Sequence, residues 1–240
     1  MIERGRKSMS SIAIITARGG SKRIPRKNIK EFCGKPILLY SIEAALKSQL
    51  FDEVMVSTDD REIAELAKMH GAKVPFLRSE ETANDFATTA EVIYEVIDRY
   101  RQQGDYFSTI CCIYPTAPFI TPEKLCKGFS LLDKDTDEVL PVVPFSFPPQ
   151  RCIILEDHMA KMKWEEHKLT RSQDLEKWYH DCGQFYILRT ESFLKQKSIM
   201  MERTVPLIMS DLEVQDIDNE EDWLIAEMKF RLMMDKVKRN

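Results

Sequence analysis

The stretch Ile14-Ile15-Thr16-Ala17-Arg18-Gly19-Gly20-Ser21-Lys22-Arg23-Ile24-Pro25-Arg26-Lys27-Asn28 decides how this chain is read. An apolar, β-branched run empties into a glycine pair, and the next eight residues carry Lys22, Arg23, Arg26 and Lys27, which join Arg18 on one short loop. Glycines let backbone N–H groups approach an anion, and cationic side chains neutralise the charge those dipoles leave. Such a loop after a buried strand points to a polyphosphate, and so to a nucleotide. It is not a Walker A loop, because no Gly-Lys-Ser/Thr follows at the required spacing, and Gly19-Gly20 makes no dinucleotide fingerprint. The bland alternative is a solvated basic turn after an edge strand.

Downstream of the loop, strands and helices alternate. Leu38, Leu39, Ile42, Ala45 and Leu46 share a helical face over Leu38 to Ser48. Residues 51–57 alternate as a strand ending in Thr58-Asp59-Asp60, where Asp59 or Asp60 can cap a helix that Gly71 ends. A short strand is expected over Lys73 to Leu77, and Arg78 opens a loop of small and acidic residues. Thr88-Thr89-Ala90-Glu91 is a capping box for a helix running to Gly104. Thr109 to Tyr114 is an unbroken apolar run, the kind buried on both faces of a parallel sheet. Thr121-Pro122 opens the next helix, and Glu138 to Val143 is another buried strand.

The rhythm breaks from Pro144 to Gly183, which reads as an aromatic-rich insertion. Strands resume over Gln184 to Leu188 and Val205 to Met209, and a last helix starts at Glu220. This order predicts one α/β domain over 11–240 with a doubly wound, mostly parallel sheet. Ligands in such folds sit outside the carboxyl ends of the strands, so the loops after Ala17, Ser57, Leu77, Tyr114, Val143 and Met209 should converge on one crevice.

With 35 Lys plus Arg against 39 Asp plus Glu, the net charge of −4 argues against a general nucleic-acid or anionic-membrane binder. The basic charge is local, so its target is small. The six cysteines form no C-x-x-C pair and read as reduced residues of a cytoplasmic protein. Residues 1–10 read as a leader without the apolar segment of a signal peptide, and Met9 is an alternative start.

The predicted crevice gathers the basic loop, Arg78, and the pair Asp216 and Asp218. Carboxylates one residue apart on an extended segment point the same way, as Mg²⁺ requires alongside phosphate oxygens. Asp218 acting only as a cap of the last helix is the competing explanation.

Together with Ser57-Thr58-Asp59, Tyr114-Pro115-Thr116-Ala117-Pro118 and Asp216-Ile217-Asp218, the opening motif resembles the acylneuraminate cytidylyltransferase (CMP-sialic acid synthetase) family from about residue 12 to 228. The resemblance implies that CTP activates a nonulosonic acid, whose anomeric hydroxyl displaces pyrophosphate to give the CMP-sugar. It assigns Arg18, Ser21, Lys27 and Asn28 to the nucleotide-binding loop, and Arg78, Ala87 and Thr89 to the surroundings of the cytidine. Asp216 and Asp218 match the acidic pair that binds Mg²⁺, which with Arg18 and Lys27 makes the catalytic set. Either aspartate, directly or through metal-bound water, can accept the hydroxyl's proton.

Arg151, Arg171 and Gln173 of the insertion match sugar-binding positions, although Ser172 stands where the family has a second arginine. The insertion is implied to reach across a homodimer. Tyr114 in place of the family's usual glutamine, and His180-Asp181-Cys182-Gly183-Gln184-Phe185-Tyr186, resemble the pseudaminic acid branch, which adds Tyr114, His180 and Gln184 to the sugar site. N-acetylneuraminate, legionaminate or another 2-keto sugar acid is the alternative substrate. A non-catalytic nucleotide-binding interaction protein is the alternative of another class.

Overall fold

The computed structural model describes residues 10–239. The expected leader lies outside the described residues, apart from Ser10. Strands β1 (Ser11–Thr16), β4 (Glu53–Ser57), β5 (Thr109–Ile113), β6 (Glu138–Pro144), β9 (Tyr179–Asp181), β10 (Phe185–Arg189) and β11 (Thr204–Ile208) make one sheet. Its order is β11-β6-β10-β5-β1-β4, with β9 added beside β6. Two small hairpins stand apart, β2 (Glu31–Phe32) with β3 (Lys35–Pro36), and β7 (Ile153–Glu156) with β8 (Met159–Met162).

Strands β11, β6, β5, β1 and β4 run one way, while β10 runs against both β5 and β6. The doubly wound, mostly parallel sheet read from the sequence is therefore present, with an antiparallel strand at its centre. An apolar run signals burial on both faces but carries no mark of direction.

Burial explains the periodicities. Along β1, Ala13 and Ile15 join the cluster under helices α1 (Leu38–Ser48), α2 (Arg61–Met69) and α5 (Pro122–Ser130). Ile12 and Ile14 face the other cluster, under α4 (Thr89–Gln102), which follows the single-turn α3 (Glu80–Ala83), and α6 (Thr190–Gln196). A third cluster packs Trp223 and Ala226 of α7 (Glu220–Arg239) against Ile24, Phe32 and Phe119, which braces the basic loop from behind. Among the described residues no helix is long and apolar enough to cross a membrane.

Local signals put the helix starts where expected. Asp60 accepts from the Glu62 and Ile63 amides, Thr88 and Glu91 form the reciprocal capping box, and Thr121 accepts from Lys124 ahead of Pro122. Two expectations are corrected. Lys73–Leu77 is not a strand: a single bridge joins Lys73 to Met55, and Pro75 has no N–H with which to continue the ladder. The insertion does not leave the sheet altogether, since β9 pairs with β6 through Val142 with Asp181 and Pro144 with Tyr179.

Asp137, just before β6, is buried and receives a fork from Arg203, Nε at 3.0 Å and Nη2 at 2.7 Å, besides Ser192 Oγ at 2.5 Å. These bonds, Arg203 first, hold its carboxyl well below the usual carboxylate range. A depressed folded-state pKa contributes stability above the unfolded pKa that is lost as pH falls toward the folded one. Asp137→Asn is therefore expected to cost about 1–3 kcal/mol at neutral pH. In urea titrations its deficit should shrink below about pH 4, the ordinary range of an aspartate; a deficit independent of pH would contradict the assignment.

Candidate active site

The loop after β1 is built on close packing. A Cβ on Gly19 would lie 2.8 Å from Asp60 Oδ2, and the Gly19 amide donates to Asp59 Oδ1 at 2.8 Å. Glycine is required here by the approach of the β4–α2 turn, and this amide is already used by a carboxylate. Arg26, in left-handed conformation at φ 55°, turns its guanidinium back onto Asp60 and Glu62. That cation is committed to holding the loop.

The remaining cations face a cleft of about 650 Å³ at the carboxyl ends of β1, β4 and β5. Arg18, Ser21, Lys22, Arg23, Lys27 and Asn28 line one side, Arg78, Thr82, Asn84, Asp85, Ala87 and Thr89 another, with Tyr114, Thr116 and Asp218 closing it. Each residue is fixed by its own element. Asn28 is buried and donates to the Arg18 carbonyl at 2.8 Å. Arg78 donates through Nη2 to the Ser57 carbonyl at 2.7 Å and through Nε to Ser57 Oγ at 3.1 Å. Its burial lowers its pKa, against the raising charge of Asp59. Asn84 Oδ1 accepts from the Phe86 and Ala87 amides and shapes the turn that presents Ala87.

Lys27 donates from Nζ to the Ile217 carbonyl at 2.6 Å, between Asp216 and Asp218. Burial lowers its pKa, and the charges of Asp218 and Asp216 raise it in opposition. Desolvation, then the neighbouring Asp218 charge, raises the carboxyl pKa of Asp216, although its side chain is open to solvent on one side. Asp218 is bound by Arg23 at 2.7 Å and does not cap the last helix. That cap is Asn219, whose Oδ1 accepts from the Asp222 amide while Asp222 accepts from the Asp218 and Asn219 amides.

In this geometry the pair offers two carboxylates flanking a buried Ile217. No group of three or more His, Cys, Asp or Glu forms a metal cluster among the described residues. Two protein carboxylates with the other positions left to phosphate oxygens and water suit Mg²⁺, which dehydrates reluctantly.

The family then follows from comparison. A family model described as Cytidylyltransferase matches residues 12–235. The chain belongs to the cytidylyltransferase family. This cytidylyltransferase is 38% identical over 226 residues to the pseudaminic acid cytidylyltransferase of Campylobacter jejuni, covering 93% of this chain and 97% of that one. It is 35% identical to the CMP-N,N'-diacetyllegionaminic acid synthase of Legionella pneumophila, again over 93% and 97% of the two chains. Its fold is that of a CMP:2-keto-3-deoxy-manno-octonic acid synthetase solved with CTP, at a TM-score of 0.65, 17% identity and coverage of 94% and 99%.

The residues expected to meet the sugar are dispersed in this cytidylyltransferase. Tyr114 lines the cleft, with its hydroxyl 3.1 Å from Thr89 Oγ1. Gln184, whose carbonyl accepts from the Tyr114 amide, is buried with its Nε2 donating to the Glu213 carbonyl at 2.5 Å, and it is not among the residues lining the cleft. His180 packs at a tilt against Phe145, with centroids 4.7 Å apart, and shares a 2.9 Å hydrogen bond between Nδ1 and the Asp181 carbonyl. Arg151 and Arg171 stand on the insertion, bonded to Ser172 and Asp174, with Gln173 beside them. Asp85 went unread in the sequence, yet its carboxylate pairs with both Arg18 and Lys22 in the cleft. An acidic residue in a loop of small residues was the available signal.

Proposed function

We propose that this cytidylyltransferase condenses CTP with pseudaminic acid, releasing pyrophosphate and forming the CMP-sugar. The observation that carries the reading is the meeting of Arg18, Lys22, Arg23 and Lys27 with Asp218 and Tyr114 in one cleft. The sugar's anomeric oxygen forms a bond to the α-phosphorus, the bond from that phosphorus to the bridging oxygen breaks, and pyrophosphate takes the electron pair. The hydroxyl proton goes to a carboxylate of the Asp216 and Asp218 pair.

Positioning and charge neutralisation do the chemistry, as in phosphoryl transfer generally. Lys27, Arg18 and the neighbouring loop cations hold the triphosphate, with Ser21 and Asn28 ordering the loop, and Arg78, Ala87 and Thr89 hold the base. Asp216 and Asp218 would hold Mg²⁺, which supplies positive charge to the phosphate oxygens when bound.

Tyr114 replaces an amide, with two donors and an acceptor, by a ring with one hydroxyl, and so favours a deoxy, acylamino sugar over a hydroxylated one. The test is pyrophosphate release with CTP, Mg²⁺ and a panel of sugar acids. We expect kcat/KM for pseudaminic acid to exceed that for N-acetylneuraminate by about a hundredfold, which a few unpaired polar groups supply. Equal efficiencies would remove the sugar assignment and leave the cytidylyltransferase.

The working unit in this proposal is a cytoplasmic homodimer, and the six free cysteines agree with a reducing compartment. The insertion exposes Phe147, Ile153, Leu155 and Leu169 by 62% to 93%, with Ile153 and Leu155 on one face of β7. Burying each such side chain contributes about 1.5–3 kcal/mol. A second copy covering that face would bring Arg151, Arg171 and Gln173 to a neighbouring cleft. Light scattering should give twice 28.0 kDa, and Ile153→Asp with Leu155→Asp should return it to one chain; a wild-type monomer at micromolar concentration would contradict the dimer.

A further inference from the structure

The carboxylates that meet the basic loop are held in different ways. Arg26 binds Asp60, whose Oδ1 also accepts from the Glu62 and Ile63 amides, at 2.9 and 3.0 Å, as the cap of α2. Arg18 and Lys22 bind Asp85, on the turn between α3 and α4, Arg18 Nη1 donating to Oδ1 at 2.7 Å and Lys22 Nζ to Oδ2. Among the described residues these two side chains are the only donors to the Asp85 carboxylate, which is 37% exposed against 20% for Asp60. Asp60 is built into the backbone, and Asp85 is held by cations of the cleft alone.

That difference decides what an incoming phosphate can displace. Pulling Asp60 from its place would strip the first turn of α2 of its acceptor, whereas Asp85 can rotate into water with the loss of two ion pairs between exposed side chains, a weak class of contact. The turn keeps its shape without them, because Asn84 Oδ1 accepts from the Phe86 and Ala87 amides at 2.7 and 3.0 Å. Lys22 first, then Arg18, hold the Asp85 carboxyl below the usual carboxylate range, so it stays charged. A phosphate oxygen that comes to the same two nitrogens therefore meets a like charge close by, and the two anions share those donors only against repulsion.

Resting on the assignment of the basic loop to the triphosphate, we propose that Asp85 is an internal competitor for the polyphosphate site: its carboxylate takes the Arg18 and Lys22 cations, yields them to CTP, and reclaims them as pyrophosphate leaves. The competition weakens binding of substrate and product polyphosphate alike, and the product departs from cations that have another partner to return to. Asp85 is thus a positioning residue that acts through Arg18 and Lys22. A role confined to shaping the cleft carries the opposite sign, since its loss would weaken binding.

Inorganic pyrophosphate and inorganic triphosphate are titrated by calorimetry into the wild-type chain and into Asp85→Ala, Asp85→Asn, Asp85→Glu, Lys22→Ala and the double Lys22→Ala with Asp85→Ala. We expect Asp85→Ala and Asp85→Asn to bind both anions about fivefold to tenfold tighter, the order that two exposed ion pairs supply. Asp85→Glu, which keeps the charge, should stay near wild type, and the Ki of pyrophosphate against CTP should fall in Asp85→Ala by the same factor as its Kd. In the Lys22→Ala background the gain on removing Asp85 should shrink, because one of the two contested cations has gone. Pyrophosphate affinity that is unchanged or weaker in Asp85→Ala, or a gain that persists in full without Lys22, would overturn the competition alone. A wild-type chain that binds neither CTP nor inorganic triphosphate would overturn the assignment of the loop and the competition with it.

Discussion

Lys27→Ala is expected to lower turnover of CTP by at least about a thousandfold, the upper range for deleting a preorganised donor to developing charge. The size follows from where the ammonium sits. It donates to the Ile217 carbonyl at 2.6 Å beside Asp216 and Asp218, and burial has already lowered its pKa. A cation stripped of water by the protein itself needs no further reorganisation when phosphate oxygens arrive, and it acts where screening is weak. The truncation removes one hydrogen bond and no core packing, so the melting temperature should move by only a few degrees. Steady-state pyrophosphate release checks the rate and calorimetry the fold. Near-normal release would remove the assignment of this loop to the triphosphate.

Asp218→Asn should reduce activity by about a hundredfold to a thousandfold and raise the Mg²⁺ concentration needed for half-maximal rate, because an amide is a poor ligand for a hard cation. Stability should change by less than about 1 kcal/mol. The helix cap belongs to Asn219 and Asp222, and the ion pair of Asp218 with Arg23 is between exposed side chains. A Mg²⁺ titration of the variant beside its thermal melt separates the two roles. Lost stability with retained activity would make Asp218 structural.

The legible parts of this molecule were those encoded over a few residues. Thr88 with Glu91, Thr121 with Pro122 and Asp60 mark helix starts because caps are local chemistry, and the density of cations from Arg18 to Lys27 marks one side of the cleft. What was hidden depends on contacts far apart in the chain. Arg18 and Lys22 meet Asp85 across 67 and 63 residues, and nothing near either end announces the other. The same holds for Gly19, whose need for a missing side chain comes from Asp60 across the β4–α2 turn. The antiparallel course of β10 was unreadable because Phe185, Tyr186, Ile187 and Leu188 are buried whichever way the strand runs. Asp218 reads as a possible cap in the sequence because the residue that does hold the helix, Asn219, is its immediate neighbour.

The pairing of β9 with β6 has an engineering consequence. The insertion departs from Pro144 and returns opposite it at Tyr179, so its two ends meet across one rung of the ladder. Residues 145–178 are therefore expected to be exchangeable as a cassette that leaves the pairing of β6 with β9 in place. Chimeras that graft residues 145–178 from a relative acting on a different sugar acid should fold on the same chassis, and they offer a direct way to ask how much of sugar choice travels with the cassette and how much stays with Tyr114.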